Sequence, residues 1–202
     1  MSAAILTGGQ ATRFGGRDKS ALVVGGRSIL DRQLGELSSL TDDVMIVGGG
    51  EARSRAGAPE ARRRVRAIAD VVPGCGPLGG LHAALTAARD AAVFVVACDM
   101  PYVTAALAEY LLSLAADVDV VVPRTERGYH PLCAVYTRAC LEPAAARLAE
   151  RRLALHELLA AVKTRVVTEE ELGRFGAPSR LLANVNTPAE YASLEALQGH
   201  KL

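Results

Sequence analysis

The chain contains no tryptophan, few other aromatic residues and almost no excess of charge of either sign. Aromatic residues make up 4% of the 202 positions although half of the residues are hydrophobic, so Ala, Val and Leu must fill the core. The 23 Lys and Arg residues against 22 Asp and Glu residues give a formal net charge of +1. Proteins that neutralise a nucleic-acid backbone usually carry a marked basic excess. The composition therefore argues against a nucleic-acid partner. It favours a small phosphate-bearing substrate whose charge is neutralised by a few basic side chains.

Metal-binding cysteine pairs and long apolar runs are also missing from the sequence. The four cysteines, at positions 75, 98, 133 and 140, form no Cys-x-x-Cys pair, and we expect them to be reduced and mostly buried. No stretch approaches the roughly 20 apolar residues that span a bilayer, and the first residues lack the features of a signal peptide. These absences predict no membrane partner and a cytoplasmic location.

Short apolar runs alternate with segments of helical periodicity, which is the pattern of a parallel sheet covered by helices. The predicted strands are residues 3–6, 44–47, 65–69, 93–97, 118–122 and 131–136. Predicted helices start after the caps Ser28 and Thr104, follow residue 80, and cover about 142–151 and 155–162; another starts near Thr187. Residues 51–64 read as a solvated loop with a short helix. No linker or repeat interrupts the chain, so we predict one domain, residues 1–202.

A glycine-rich segment follows the first predicted strand. Glycine pairs at 8–9 and 15–16 are accompanied by Arg13, Arg17 and Lys19. Glycines let backbone N–H groups approach phosphate oxygens, and the cations offset phosphate charge. The spacing excludes a Gly-x-Gly-x-x-Gly fingerprint and a P-loop, because Arg17 and an aspartate separate Gly16 from Lys19. The segment is read as another kind of phosphate cradle, with an exposed charged loop as the alternative.

Asp99 directly follows the most apolar strand, Val-Phe-Val-Val-Ala-Cys. A carboxylate at a strand end is half-desolvated and needs a partner, and Mg²⁺ prefers one or two carboxylates together with substrate phosphates. A turn or helix-capping role before Pro101 explains the residue equally well. On this stretch alone the two interpretations stay open.

Five stretches, in order, resemble the MobA family of molybdenum cofactor guanylyltransferases, within the nucleotidyltransferase superfamily that also contains sugar-phosphate pyrophosphorylases. The stretches are LTGGQATRFGGRDKSAL from Leu6, Asp70 with GPLGG at 76–80, CDMP at 98–101, HPLCAVY at 130–136 and NVNTP at 184–188. The resemblance covers nearly the whole chain. It implies a single-domain, Rossmann-like three-layer α/β sandwich with a mostly parallel sheet. It further implies a nucleotide-binding part at about 1–102 and an acceptor-binding part at about 103–202.

The resemblance implies transfer of GMP from GTP to the terminal phosphate of molybdopterin or molybdenum-molybdopterin, with Mg²⁺, or Mn²⁺ in its place. The residues expected at the nucleotide are Leu6, Thr7, Gly8, Gly9, Lys19, Asp70, Gly76, Pro77, Leu78 and Asp99. The residues expected to act in catalysis are Lys19, Arg13 and Asp99, and those expected at the metal are Asp99 and Asn186. The residues expected near the acceptor are Asn184, Asn186, Arg151 and His130. Hand-over of the product to cofactor-insertion chaperones is also implied.

Some positions depart from the family pattern. Thr7 stands where Ala is usual, Phe14 where Met is usual, and Gly79 where Ala is usual. An Asn that some members place after the second strand is absent, since Val47 and Gly48 stand there. Thr7 is expected to add a hydroxyl near the nucleoside and to tune nucleotide choice.

Two other functions fit the sequence. The first is the same chemistry with another nucleotide or acceptor, as in a cytidylyltransferase or a sugar-phosphate nucleotidyltransferase; the paired glycines at 8–9, where those relatives usually show Ala-Gly, favour guanine. The second is a non-catalytic nucleotide-binding protein on the same fold. The presence of both Lys19 and Asp99 argues against it.

Overall fold

The computed structural model of the protein describes residues 1–7, 22–48, 65–69, 74–185 and 191. Its strands are β1 (Ser2–Leu6), β2 (Val23–Val24), β3 (Arg27–Ser28), β4 (Val44–Val47), β5 (Val65–Ile68), β6 (Ala92–Ala97), β7 (Val120–Thr125), β8 (Gly128–Tyr129), β9 (Cys133–Thr137) and β10 (Thr164–Val167). Its helices are α1 (Ile29–Ser38), α2 (Gly76–Ala87), α3 (Ala105–Ser113), α4 (Leu141–Ala149), α5 (Leu155–Ala161), α6 (Glu169–Leu172) and α7 (Pro178–Leu181). Short 3-10 turns cover Arg138–Cys140 and Gly173–Phe175. None of the helices in these ranges is long and apolar enough to cross a bilayer.

A mixed sheet forms the middle layer, in the order β10-β7-β9-β6-β1-β4-β5, with β8 added to β7. Strands β5, β4, β1 and β6 are parallel neighbours, and β10 runs parallel to β7. Only β9, among the strands in this order, is antiparallel to both of its neighbours, β6 and β7. The sheet is thus mostly parallel, and the predicted three-layer α/β class is confirmed.

Successive side chains along each strand point to opposite faces of the sheet and pack into two cores, one on each face. In β1, Ile5 packs with α1, α3 and the segment that includes α6 and α7. Ala4 and Leu6 point to the other face and pack with α2, α4 and α5. Both faces of the central strands are covered, which explains why those strands read as continuous apolar runs.

Two predicted helix caps are confirmed. The Ser28 hydroxyl accepts a hydrogen bond from the Asp31 N–H at 3.0 Å, and the Thr104 hydroxyl accepts one from the Leu107 N–H at 3.3 Å. The apolar stripe of α1, at Leu30, Leu34 and Leu37, is buried as its period predicts.

The helix predicted to follow residue 80 starts earlier, so its predicted start was wrong. Helix α2 begins at Gly76, so residues 76–80 already form its first turns. Pro77 explains the early start, because its fixed φ suits the first turn of a helix, where its missing N–H costs nothing. Gly80 permits close packing on the sheet: a Cβ built there would lie 3.4 Å from both Cδ atoms of Leu6.

Strand boundaries differ from the sequence prediction mainly in the second half of the chain. Strand β7 begins at Val120, two residues later than predicted. Strand β9 begins at Cys133 rather than 131, and β5 ends at Ile68 rather than 69. Strands β2, β3, β8 and β10 are additions to the prediction. The predicted loop at 8–16, the segment 51–64 and the helix start at Thr187 lie outside the described residues.

The four cysteines are free of disulfides, as predicted. Cys75, Cys133 and Cys140 are buried, whereas Cys98 is half-buried beside Asp99. Burial raises the pKa of the Cys133 thiol to about 12, so this side chain is an apolar core group rather than a nucleophile.

Candidate active site

Four parallel strands end together at one edge of the sheet. Leu6 of β1 is paired in register with Ala97 of β6 and with Val47 of β4, and Val47 is paired with Ile68 of β5. Ligands of open α/β sheets bind beyond the carboxyl ends of such strands. The residues that follow these ends are therefore the candidates for chemistry.

Thr7 and Asp99 follow neighbouring strand ends. The Thr7 N–H donates to the Val47 carbonyl at 2.8 Å, and the Cys98 N–H donates to the Leu6 carbonyl at 3.1 Å. The Thr7 hydroxyl also donates to the Val47 carbonyl, at 2.9 Å. Because its proton is engaged with β4, this hydroxyl can meet a ligand only as an acceptor.

The C-terminal part of the chain holds Asp99 at two points. The Asn184 amide Nδ2 donates to Asp99 Oδ1 at 3.2 Å, and the Val185 N–H donates to the Asp99 carbonyl at 2.9 Å. Hydrogen bonds thus join residues 184–185 directly to the turn at 98–101. Asn186 lies outside the described residues.

A small cluster beside Asp99 connects that site to the hairpin formed by β2 and β3. Val185 is fully buried and packs with Val24 and Ile29, and Leu22 lies against the same cluster. The Tyr191 hydroxyl donates to the Val23 carbonyl. Residues 7 and 22, which flank the glycine-rich segment, are therefore both fixed at the carboxyl edge near Asp99.

The start of α2 lies at the same edge. Gly76 has a φ of 57°, which a glycine adopts without strain, and Gly76 and Pro77 are exposed. Leu78 is fully buried in the core shared with Leu6, so its side chain cannot contact a nucleotide and only its backbone could. The first N–H groups of a helix favour bound anions. Asp70, which precedes this helix in sequence, lies outside the described residues.

A cleft of about 360 Å³ opens next to the start of α2. It is lined by Pro77, Tyr129, Pro131, Leu132, Leu153, Leu155 and His156. The Ala97 N–H donates to the Leu132 carbonyl at 2.9 Å, which places this wall beside the end of β6. The cleft is therefore a neighbour of the Asp99 turn.

Tyr129 and His130 belong to the β7–β8 hairpin above the cleft. The Tyr129 side chain is 41% exposed, and the Arg124 guanidinium lies 5.2 Å from the centre of its ring. His130 Nε2 lies 2.9 Å from the Thr125 hydroxyl. Burial lowers the pKa of His130 below its ordinary value, and the positive charge of Arg127 lowers it further. The negative charge of Glu169 acts in the opposite direction. Its ring contacts Thr125 and is not part of the cleft lining.

Arg151 is exposed after α4, with an unusual φ of 56° for a residue with a side chain. Its neighbours Arg147 and Arg152 pair with Glu157 at 2.9 and 2.7 Å. Within the described ranges Arg151 forms no salt bridge and does not line the cleft, although Leu153, two residues later, does. The structure places it near the predicted acceptor side without a contact that defines its role.

Gln33 is a site residue that sequence reasoning missed. Its amide Nε2 donates to the carbonyls of Ala97 and Met100 at 2.8 and 3.0 Å, and these two residues flank Cys98 and Asp99. The sequence feature that could have revealed Gln33 is its position as a polar residue on the otherwise apolar face of α1. Tyr129 was missed as well, because nothing in its local sequence predicts a cleft wall.

The described residues contain no group of three or more His, Cys, Asp or Glu side chains suited to a metal ion. Gly8, Gly9, Arg13 and Lys19 lie outside the described ranges, so their distances to Asp99 stay predictions. The site that is described combines a single strand-end carboxylate, an amide partner, a helix start and an adjoining cleft.

A mostly parallel sheet with a glycine-rich segment and an acidic turn at neighbouring strand ends defines a nucleotidyltransferase-type α/β domain. The same fold occurs in molybdopterin-guanine dinucleotide biosynthesis protein A from Archaeoglobus fulgidus, with a TM-score of 0.81, 23% identity and coverage of 98% of this chain and 99% of that one.

Residues 3–195 match the family described as the MobA-like NTP transferase domain, and the chain belongs to this family. A probable molybdenum cofactor guanylyltransferase from Pelotomaculum thermopropionicum is 34% identical over 92% of this chain and 87% of that protein. A molybdenum cofactor guanylyltransferase from Desulfosudis oleivorans is 32% identical over 95% of this chain and 93% of that protein. The chain is thus a nucleotidyltransferase, and the resemblance that its motifs carry is confirmed.

Proposed function

We propose that the protein transfers GMP from GTP to the terminal phosphate of molybdenum-molybdopterin, forming the guanine dinucleotide form of the cofactor and pyrophosphate. The observation that carries the proposal is the meeting of three features at one sheet edge. Both ends of the glycine-rich segment, at Thr7 and Leu22, lie at the edge that holds Asp99 and the exposed start of α2. The relatives named as guanylyltransferases support the choice of substrates.

A divalent cation, Mg²⁺ or Mn²⁺, is part of the proposal. Asp99 suits it, because Mg²⁺ is commonly held by one or two carboxylates and completes its shell with substrate phosphates and water. The Asn184 amide donates a hydrogen bond to one carboxylate oxygen of Asp99, which orients the group. Asn186 is a proposed second ligand. When bound, the cation would offset the negative charge of the α-phosphate.

The proposed reaction is an in-line displacement at the α-phosphorus of GTP. A terminal phosphate oxygen of the acceptor forms the new bond to the α-phosphorus, and the bond to the bridging oxygen of the β-phosphate breaks, so that its electron pair leaves with pyrophosphate. The attacking oxygen is already anionic near neutral pH, and no strong general base is needed. The residues of the chain act by positioning and charge. Lys19 and Arg13 neutralise charge on the leaving pyrophosphate.

We assign the acceptor to the cleft between the start of α2 and the α4–α5 connection. Its walls are largely apolar, with Tyr129 and His156 as polar rings at the rim, which suits a planar heterocycle. Arg151, Asn184 and Asn186 are the proposed contacts for the acceptor phosphate. His130 supports the hairpin that carries Tyr129 through its contact with Thr125.

This assignment divides the single domain into a nucleotide-binding part at about 1–102 and an acceptor-binding part at about 103–202. Pro77 from the first part and residues 129–156 from the second meet in the cleft. Transfer of the product to a cofactor-insertion chaperone, and the cytoplasmic location, stay predictions.

Nucleotide choice is tested by ligand-induced thermal stabilisation. A ligand that binds only the folded state raises the melting temperature with its concentration, so GTP with Mg²⁺ should stabilise the protein more than CTP, UTP or ATP. Stronger stabilisation by CTP would instead indicate a cytidylyltransferase. Pyrophosphate release that requires both GTP and molybdopterin then tests the reaction, with Asp99→Asn as the inactive reference.

A further inference from the structure

The side chain of Gln33 lies in the core, where apolar residues surround it. It is 2% exposed, and its neighbours on the same face of α1, Leu30, Leu34 and Leu37, are buried as well. Its amide nitrogen reaches two backbone carbonyls, those of Ala97 at 2.8 Å and Met100 at 3.0 Å. A core residue of α1 thereby contacts the main chain on both sides of Asp99.

The orientation of this amide follows from its partners. Carbonyl oxygens only accept hydrogen bonds, so both N–H groups of the Gln33 amide must face Ala97 and Met100. Its oxygen Oε1 is then left buried with no hydrogen-bond partner among the described residues. An unpaired buried acceptor is unfavourable, and an apolar side chain would avoid it. The arrangement is explained by what the two donated bonds do for the turn.

The Asp99 turn runs from Ala97 to Met100. Within it, the Met100 N–H donates to the Ala97 carbonyl at 3.3 Å, which is a long hydrogen bond. Helix α1 also holds the far end of the connection, because Glu36 Oε2 accepts the Ala105 N–H at 2.8 Å at the start of α3. Gln33 and Glu36 are three positions apart and lie on neighbouring parts of one helix face. Together they fasten the segment 97–105, which carries Asp99, to α1.

We propose that Gln33 is a positioning residue that fixes the Asp99 turn for the divalent cation. The inference rests on the proposed function, in which Asp99 binds the cation. Residues that orient a metal ligand from behind are separable from packing residues, because their loss weakens metal binding more than it weakens the fold.

The test is Mn²⁺ binding to the purified full chain, followed by the electron paramagnetic resonance signal of free Mn²⁺, together with the Mg²⁺ dependence of pyrophosphate release. Gln33→Met keeps the length of the side chain and removes both donors. We expect about 10- to 100-fold weaker Mn²⁺ binding and a matching rise in the Mg²⁺ concentration needed for half-maximal rate. Gln33→Asn, which is one methylene too short to reach both carbonyls, must weaken binding as well.

Leu37→Ala is the matched control. Leu37 is buried on the same helix and its apolar side chain makes no hydrogen bond to the turn, so its truncation should lower the melting temperature while Mn²⁺ binding stays as in the wild type. If Gln33→Met and Gln33→Asn bind Mn²⁺ like the wild type while Asp99→Asn does not, the positioning role is wrong and the metal role of Asp99 stands. An equal loss of binding in Leu37→Ala would also overturn it, since any loosening of α1 would then suffice. Wild-type binding by Asp99→Asn would remove the metal assignment itself.

Discussion

The amide of Asn184 donates a hydrogen bond to the carboxylate of Asp99 at 3.2 Å, across 85 positions of sequence. The next residue, Val185, donates its N–H to the Asp99 carbonyl at 2.9 Å. Asp99 is therefore held through its side chain and its main chain by the same two-residue segment. This contact joins the first half of the chain, with its nucleotide motifs, to the C-terminal segment.

Removing either partner should therefore reduce catalysis by different amounts. Asp99→Ala deletes the proposed metal ligand and is expected to lower kcat by about 10²- to 10³-fold, the usual effect of losing one preorganised charged group. Asn184→Ala leaves the carboxylate in place and removes only this hydrogen bond, so a smaller loss is expected. Pyrophosphate release measures both.

The double variant Asp99→Ala/Asn184→Ala tests whether Asn184 acts through Asp99 or independently of it. If Asn184 acts through Asp99, the double variant should lose little more activity than Asp99→Ala alone. Additive losses would mean that Asn184 contacts substrate independently. Unchanged melting temperatures are the control for folding.

Lys19 and Arg13 carry the proposed charge on the pyrophosphate side. Lys19→Ala and Arg13→Ala are each expected to lower kcat by about 10²-fold or more without loss of stability. The matched control is Lys163→Ala, because Lys163 is exposed and precedes β10 at the opposite edge of the sheet. Near-normal turnover in Lys19→Ala or Arg13→Ala would remove that residue from the mechanism.

The strands at the site were predictable because they are short, apolar and followed by unusual residues. The sequence shows β1 and β6 as buried runs, with Thr7 directly after β1 and Asp99 two residues after the end of β6, so their position at one edge follows from the rule for parallel sheets. The family resemblance placed Asp99 and Asn186 at the metal and Asn184 near the acceptor, and these roles stay predictions. The hydrogen bonds that join Asn184 to Asp99 needed the structure.

Other features were hidden because they depend on tertiary contacts. Gln33 meets carbonyls 64 and 67 positions away, and no local pattern reports such a distance. Helix α2 was predicted only after residue 80 because residues 76–80 are rich in glycine, whereas the structure shows Pro77 in its first turn and Gly80 packed close to Leu6. Strand β10 carries Arg165 within four residues and lacks a clear alternation, so its pairing with β7 decides its conformation.

A pH-dependent stability is expected from Glu171, which closes a capping box with Thr168 at the start of α6. The hydrogen bond from the Thr168 N–H is the main cause of the lowered pKa of Glu171. Burial acts in the opposite direction, and hydrogen bonds from the Tyr110 hydroxyl, the Thr168 hydroxyl and Arg165 lower the pKa further. The pKa falls from the ordinary 4.5 to about 2. Because the folded state favours the ionised form, this stabilisation is present above about pH 4.5 and is lost as the pH falls towards 2.

Glu171→Gln tests this contribution by urea unfolding at several pH values. The variant should be less stable than the wild type at pH 6, and the gap should narrow as the pH approaches 2, since the wild-type carboxyl then becomes neutral as well. Glu170→Gln, at the exposed neighbouring position, is the control and should follow the wild-type curve. A constant gap between wild type and Glu171→Gln at all pH values would contradict the assigned cause.

Tyr129 offers the sharpest test of the acceptor assignment, because it lines the cleft and lies away from the Thr7–Asp99 edge in sequence. If its ring stacks on the heterocycle of the acceptor, Tyr129→Ala should raise the KM for molybdopterin by about tenfold, which lies within the range of base–aromatic stacking. The KM for GTP should not change. Tyr129→Phe keeps the ring and should behave like the wild type, so that hydroxyl and ring effects are distinguished. Equal increases in both KM values would place Tyr129 outside the acceptor site, and so would an unchanged KM for molybdopterin in Tyr129→Ala.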